Sequence, residues 1–162
     1  PFGLWYRQLW AESLGKRDHS GRARGLTPAL AMGVTDQHSQ LQLYLDGPDD
    51  KQFTLLADPK LGRQGARVPE RFTGLPATAP LAGHTTGELL LAEFRATRET
   101  LTRRGRPNRT IQLDTRDAGA IGALILLLEL ETVVVAQLLG IDPFDQPAVE
   151  ESKTLAREYL KH

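Results

Sequence analysis

Glu12, His38, Gln146 and Lys153 are of types that exchange protons or hold polar ligands, and each stands where a predicted element would present it. Glu12 falls near the end of a first predicted helix and His38 just after a short apolar run. Gln146 and Lys153 flank the start of a last helix. Pro147 has no backbone N–H to donate, so it suits only a first turn. Beyond it Ala148, Ser152, Leu155, Ala156, Tyr159 and Leu160 recur at three- and four-residue spacing, which predicts a buried stripe. Gln146, Val149 and Lys153 form a second line along the same cylinder, since seven residues is nearly two turns, so the amide and the ammonium are expected on one face. Taken alone, these two read as solvated side chains, His38 as a surface or capping histidine, and Glu12 as an ordinary helix-end carboxylate.

Other chemistries find little support. Gly15-Lys16 has Trp10 where a phosphate-cradling loop needs glycine. The histidines at 19, 38, 84 and 162 lack ligand spacing, so no metal site is expected. The absence of cysteine removes disulfides, thiolate metal sites and a cysteine nucleophile, and fits a reducing cytosol. Arg103, Arg104, Arg106 and Arg109 cluster without interleaved aromatics, which reads as a solvated loop rather than a nucleic-acid patch. Twenty basic residues balance twenty acidic ones, so no global field attracts nucleic acid or an anionic membrane. The longest apolar run, Ala118 to Leu128, stops at Glu129, short of the roughly 20 residues that span a bilayer. No membrane segment is expected.

The elements that must position these residues follow from periodicity. Leu4, Trp5, Leu9 and Trp10 give the first helix an apolar side, with Gly15 as its stop. Lys16 to Gly25 reads as a basic, mobile loop. Pro28 to Val34 is expected as a buried strand delivering its end to Thr35-Asp36-Gln37-His38-Ser39, and a helix follows as far as Asp46-Gly47-Pro48. Lys51 to Asp58 alternates as a strand. Residues 59–85, rich in Pro and Gly and without period, read as a long irregular loop. Thr86 to Arg104 is expected as a helix with Leu89, Leu90, Phe94, Thr97 and Leu101 on one side, Thr110 to Leu113 as a short strand, and Asp117 to Leu139 as a helix buried on most of its surface apart from Glu129 and Glu131. Strands alternating with helices predict an α/β layer structure with a parallel sheet, and 162 residues with 40% hydrophobic content make one domain. The chain begins with Pro, almost inside a helix, and reads as a piece of something longer.

Three separated segments carry a family resemblance. Glu12-Ser13-Leu14-Gly15-Lys16 resembles the Glu-Ser-x-Gly-Lys segment of the phosphoglucose isomerases. Gly33-Val34-Thr35-Asp36-Gln37-His38-Ser39 is similar to their Thr-x-x-Gln/Leu-His segment. Phe144-Asp145-Gln146-Pro147-Ala148-Val149-Glu150-Glu151-Ser152-Lys153 fits their C-terminal pattern, aromatic-Asp/Asn-Gln-x-Gly/Ala-aliphatic-Glu-x-x-Lys, with Glu151-Ser152 where many relatives carry Leu-Gly. The segments occur in the family's order, and the resemblance runs over essentially the whole chain.

The resemblance implies a three-layer αβα sandwich of the sugar-isomerase type, as the C-terminal part of a longer enzyme whose upstream domain supplies the phosphate site. It implies interconversion of glucose 6-phosphate and fructose 6-phosphate through a cis-enediol, in the cytoplasm and without metal or organic cofactor. Glu12, His38 and Lys153 would be catalytic, the first moving a proton between adjacent carbons and the other two opening the sugar ring. Gln146 would bind substrate. A homodimer is implied, with His38 contributed across the interface. A non-catalytic sugar-phosphate-binding module, and the isomerase end of a transaldolase and isomerase fusion, are the alternatives.

Overall fold

The computed structural model describes residues 2–146 and 148–161, apart from the side chain of Phe72. Among the described residues the order is α1 (Phe2–Leu14), α2 (Thr35–Asp46), β1 (Phe53–Ala57), α3 (Thr86–Arg103), β2 (Asn108–Gln112), α4 (Ala118–Leu139) and α5 (Val149–Tyr159). The two strands pair in parallel from Phe53 opposite Asn108 to Ala57 opposite Gln112, and they are the whole of the sheet among the described residues. The class is α/β, as expected. The chain forms two compact units, Pro1–Leu30 with Ile121–His162, and Ala31–Ala120.

In the first unit, burial centres on the junction of α1 and the end of α4. Leu14, Ala136 and Ile141 are shut from solvent, with Trp10, Val135 and Leu139 packed on them. Along α4, Leu124, Leu128, Thr132 and Ala136 face inward at four-residue intervals, and the Thr132 hydroxyl donates to the Leu128 carbonyl at 2.7 Å instead of being left bare. The expectation that α4 is buried on most of its surface is corrected: Leu126, Leu127, Leu130, Val134 and Leu138 all lie open to solvent. At 22 residues, α4 is also long and apolar enough to cross a membrane by length and composition, which a run ending at Glu129 did not suggest. The α5 stripe is likewise not buried. No α5 residue is shut from solvent, and Tyr159 is 75% exposed.

In the second unit a βαβ connection carries the chain from β1 through α3 to β2. The α3 start is fixed by a capping box, in which the Thr85 hydroxyl accepts from the Glu88 amide at 3.0 Å and the Glu88 carboxylate accepts from the Thr85 amide at 2.7 Å. Residues 59–85 include three short 3₁₀ turns, Pro59–Arg63, Glu70–Gly74 and Ala79–Leu81. The first lies close against α3 at Gly87, where an added Cβ would stand 1.9 Å from the Leu61 carbonyl oxygen. Leu101 is buried as expected, but Leu89 and Leu90 face out, while Leu91 and Phe94 are half-buried.

The strand expected over Pro28 to Val34 does not form. Met32 instead spends both backbone groups on Asp36, its amide donating to the Asp36 carboxylate at 2.6 Å and its carbonyl accepting from the Asp36 amide at 2.8 Å. Bonded this way to its own sequence neighbour, Met32 has no amide left for a sheet ladder. The arginine cluster is not a bare basic surface: Arg104 meets Asp46 at 3.1 Å, Arg106 meets Asp49 at 2.9 Å and donates to the Leu45 and Gly47 carbonyls, and Arg103 pairs with Glu99.

Candidate functional site

Glu12 sits in the last turn of α1, on the face turned away from the core. Successive helical residues are rotated by about 100°, so burying Ser13 and Leu14 against the α4 end leaves Glu12 in solvent. Two amides converge on it. Gln8, one turn earlier, donates from Nε2 to Glu12 Oε1 at 2.9 Å, and Gln146, 134 residues further along, donates from Nε2 to Glu12 Oε2 at 3.2 Å. Each carboxylate oxygen therefore has one neutral donor and keeps lone-pair capacity for another proton. The arrangement orients the carboxylate through two neutral donors.

Gln146 does not lie on the α5 cylinder. That helix begins at Val149, so the expectation that Gln146 and Lys153 project from one helical face is corrected. Pro147, taken from the sequence as the helix start, lies outside the described residues. Gln146 belongs to the preceding loop, which reaches back to α1. Lys153 lies on α5, with Nζ 2.6 Å from Glu150 Oε1 one turn earlier. Both side chains are more than half exposed, so this pair contributes little to stability and gives up its partner at small cost. No hydrogen bond or ion pair joins Lys153 to Glu12 or Gln146 among the described residues.

His38 belongs to the second unit, exposed in the first turn of α2, where its amide donates to the Val34 carbonyl. The neighbouring residues fix that turn. Asp36 accepts from the Met32 amide and from the Ser39 hydroxyl at 3.1 Å. The Met32 amide first, then the Gln40 and Ser39 side chains, hold its carboxyl below the usual range. Gln37 donates to Thr97 Oγ1 on α3 at 2.6 Å.

Sequence reasoning missed Gln8, which a Gln four residues before the key Glu on one helix face could have flagged. It also missed how Lys16 to Gly25 is held. Within that loop Asp18 accepts from the Ser20 hydroxyl and amide, from the Arg22 amide and from the Arg24 guanidinium at 2.8 Å. The Ser20 hydroxyl, followed by Arg24 and the two amides, holds the Asp18 carboxyl well below the usual range. Lys16 itself is only 8% exposed, with Nζ 2.8 Å from Asp145 Oδ1 and 2.5 Å from the Asp142 carbonyl oxygen. A shallow pocket beside this loop is lined by His19, Gly140, Ile141 and Phe144 among others, and none of Glu12, Gln146 or Lys153 lines it. No cluster of His, Asp and Glu fit for a metal occurs among the described residues.

No family model matches the chain. A glucose-6-phosphate isomerase of Rubrobacter xylanophilus is 46% identical over 151 residues, which is 93% of this chain and 34% of that protein. A probable glucose-6-phosphate isomerase of Natronomonas pharaonis is 46% identical over 160 residues, 99% of this chain and 35% of that protein. The crystal structure of a hypothetical protein from Thermus thermophilus superposes with a TM-score of 0.87 at 36% identity, covering 99% of this chain and 38% of that one. The chain spans about a third of the length of the curated relatives it matches. Along nearly all of its own length, this sequence is thus similar to one part of the glucose-6-phosphate isomerases.

Proposed function

We propose that the protein of which this chain is the C-terminal part interconverts glucose 6-phosphate and fructose 6-phosphate through a cis-enediol. The observation that carries the reading is Glu12: in a chain 46% identical to a glucose-6-phosphate isomerase, its carboxylate is the group held by an amide on each oxygen. Aldose–ketose isomerisation needs a base that takes a proton from C2 and returns it to C1, while the C1 carbonyl oxygen gains a proton and the C2 hydroxyl loses one. A carboxylate with two oriented oxygens suits that transfer between adjacent carbons, and general acid–base assistance of this kind contributes about 10² to 10⁴ in rate.

His38 and Lys153 open the ring in this reading, one exchanging a proton with the ring oxygen and the other steadying the anomeric hydroxyl, and Gln146 binds substrate as well as holding Glu12. The exposed setting of His38 and the weak tie between Lys153 and Glu150 are compatible with both roles. The phosphate is held by an upstream domain, and the whole is a cytoplasmic homodimer of three-layer αβα sugar-isomerase type, with His38 reaching the site of the other subunit. No metal or organic cofactor takes part. Glu129 and Glu131 in the middle of α4 count against a membrane role for that helix, since an acidic side chain is costly at the bilayer centre.

The test is a coupled isomerisation assay on the full-length parent. Glu12→Gln should lower kcat by about 10² to 10⁴, with KM changed by no more than a few-fold. A variant that keeps near-normal turnover would remove Glu12 as the base. His38→Ala should lose more on the cyclic substrate than on an open-chain analogue, and equal losses on both would remove its ring-opening role.

A further inference from the structure

We infer that Lys16 is a positioning residue for this proton transfer: by clamping the loop ahead of α5 to the end of α1, it sets Gln146 on the Glu12 carboxylate. The inference rests on the isomerase reading for its catalytic consequence, but the clamp itself is a matter of geometry.

Gln146 arrives at Glu12 from the outer part of a loop whose start, Ile141, is anchored in the core but whose residues 144–146 are exposed. Phe144 is 81% exposed and Asp145 is 56% exposed, so apolar packing does not fix where Gln146 stands. Beyond that anchor, the Lys16 ammonium crosses from the end of α1 to the loop, meeting the Asp142 carbonyl at 2.5 Å and the Asp145 carboxylate at 2.8 Å. Asp145 is the residue immediately before Gln146. Lys16 follows the end of α1 directly, its amide donating to the Leu14 carbonyl at 3.0 Å, and Leu14 is fixed in the core. The ammonium thus links a rigid helix end to two points of the loop, three residues apart.

A lysine side chain with 8% exposure is unusual, because the ammonium is strongly hydrated and is rarely withdrawn from water unless paired. Holding it there makes sense where its two acceptors must be kept in place. Removing it should not break the fold, since Asp145 is exposed enough for water to replace the lost partner. It should release Gln146. Because misplacing a positioning group by about 1 Å can cost roughly a hundredfold in rate, the loss should appear in the chemical step.

The experiment uses the full-length parent with Lys16→Met, Gln146→Ala and the double variant. Lys16→Met should lower kcat about tenfold or more, with KM within about twofold. On the Gln146→Ala background the same change should cost less than about twofold, because the group it positions is already gone. An equal cost on both backgrounds overturns the inference, as does wild-type kcat in Lys16→Met. A crystal structure of Lys16→Met should show Gln146 Nε2 out of hydrogen-bond reach of Glu12, and an unmoved amide overturns the clamp whatever the enzyme's activity. If Lys16→Met does not fold, Asp145→Asn weakens the same tie and should repeat the pattern at smaller size. A wild-type parent that does not isomerise either sugar phosphate overturns the isomerase reading, whereas an active parent indifferent to these changes overturns only the role of Lys16.

Discussion

The carboxylate of Glu12 has a local donor and a distant one. Gln8 comes from the same helix, so its hydrogen bond forms whenever α1 does, while Gln146 depends on a loop 134 residues later. A neutral amide donor on a solvent-facing carboxylate contributes on the order of 1 kcal/mol, and about 1.4 kcal/mol is tenfold in rate. Gln8→Ala in the full-length parent should therefore lower kcat by about fivefold. Unchanged kcat, KM and C2 proton exchange would show that Gln8 does not orient Glu12. Asp36 plays a comparable part for His38: its bonds to the Met32 amide and the Ser39 hydroxyl fix the α2 turn on which the imidazole stands.

Among the elements, α3 has the most explicit start. Its capping box satisfies two backbone amides reciprocally, and the Glu88 carboxyl is held below its ordinary value, chiefly by the Thr85 amide and further by the nearby His84 and Arg67. A carboxyl with a depressed folded-state pKa favours folding above its unfolded value of 4.5 and loses that contribution as pH falls through the folded value. Glu88→Gln should accordingly lower the thermal midpoint at pH 7, with the difference shrinking as pH falls below 4.5. A constant difference across that range, measured by circular dichroism, would show that the charge on Glu88 does not support the cap. The helix α5 is the opposite case, since it has helical spacing and an acidic first turn, but no buried residue to hold it against a core.

At the scale of the whole molecule, α4 separates inward from outward residues sharply. Leu128 is 2% exposed and Leu130 is 56% exposed, two positions apart on one helix. Truncating a buried leucine costs about 2 to 5 kcal/mol, whereas a substitution at an open position usually stays within about 0.5 kcal/mol. Urea denaturation of the chain should show that contrast between Leu128→Ala and Leu130→Ala, and equal losses would mean that Leu130 is packed. The exposed side of α4 belongs to a chain that spans about a third of its curated relatives.

Read by itself, the sequence determined the order and type of nearly every element, because helix and strand periods and their Pro, Gly and Thr boundaries are local properties. α1, α2, β1, α3, β2 and α4 fall close to where their patterns put them. It also marked Glu12, His38, Gln146 and Lys153 through motif resemblance. Local pattern failed where the outcome depended on a partner. The Pro28 to Val34 run has strand composition, but its Met32 amide and carbonyl are taken by Asp36. The stripes of α4 and α5 have the right period, yet period cannot say whether another surface covers them. Only the tertiary structure brought Gln146 to Glu12 across 134 residues and Lys16 to Asp142 and Asp145. Contacts between chain segments that far apart depend on how the packed elements aim them, and no spacing along the chain encodes that direction.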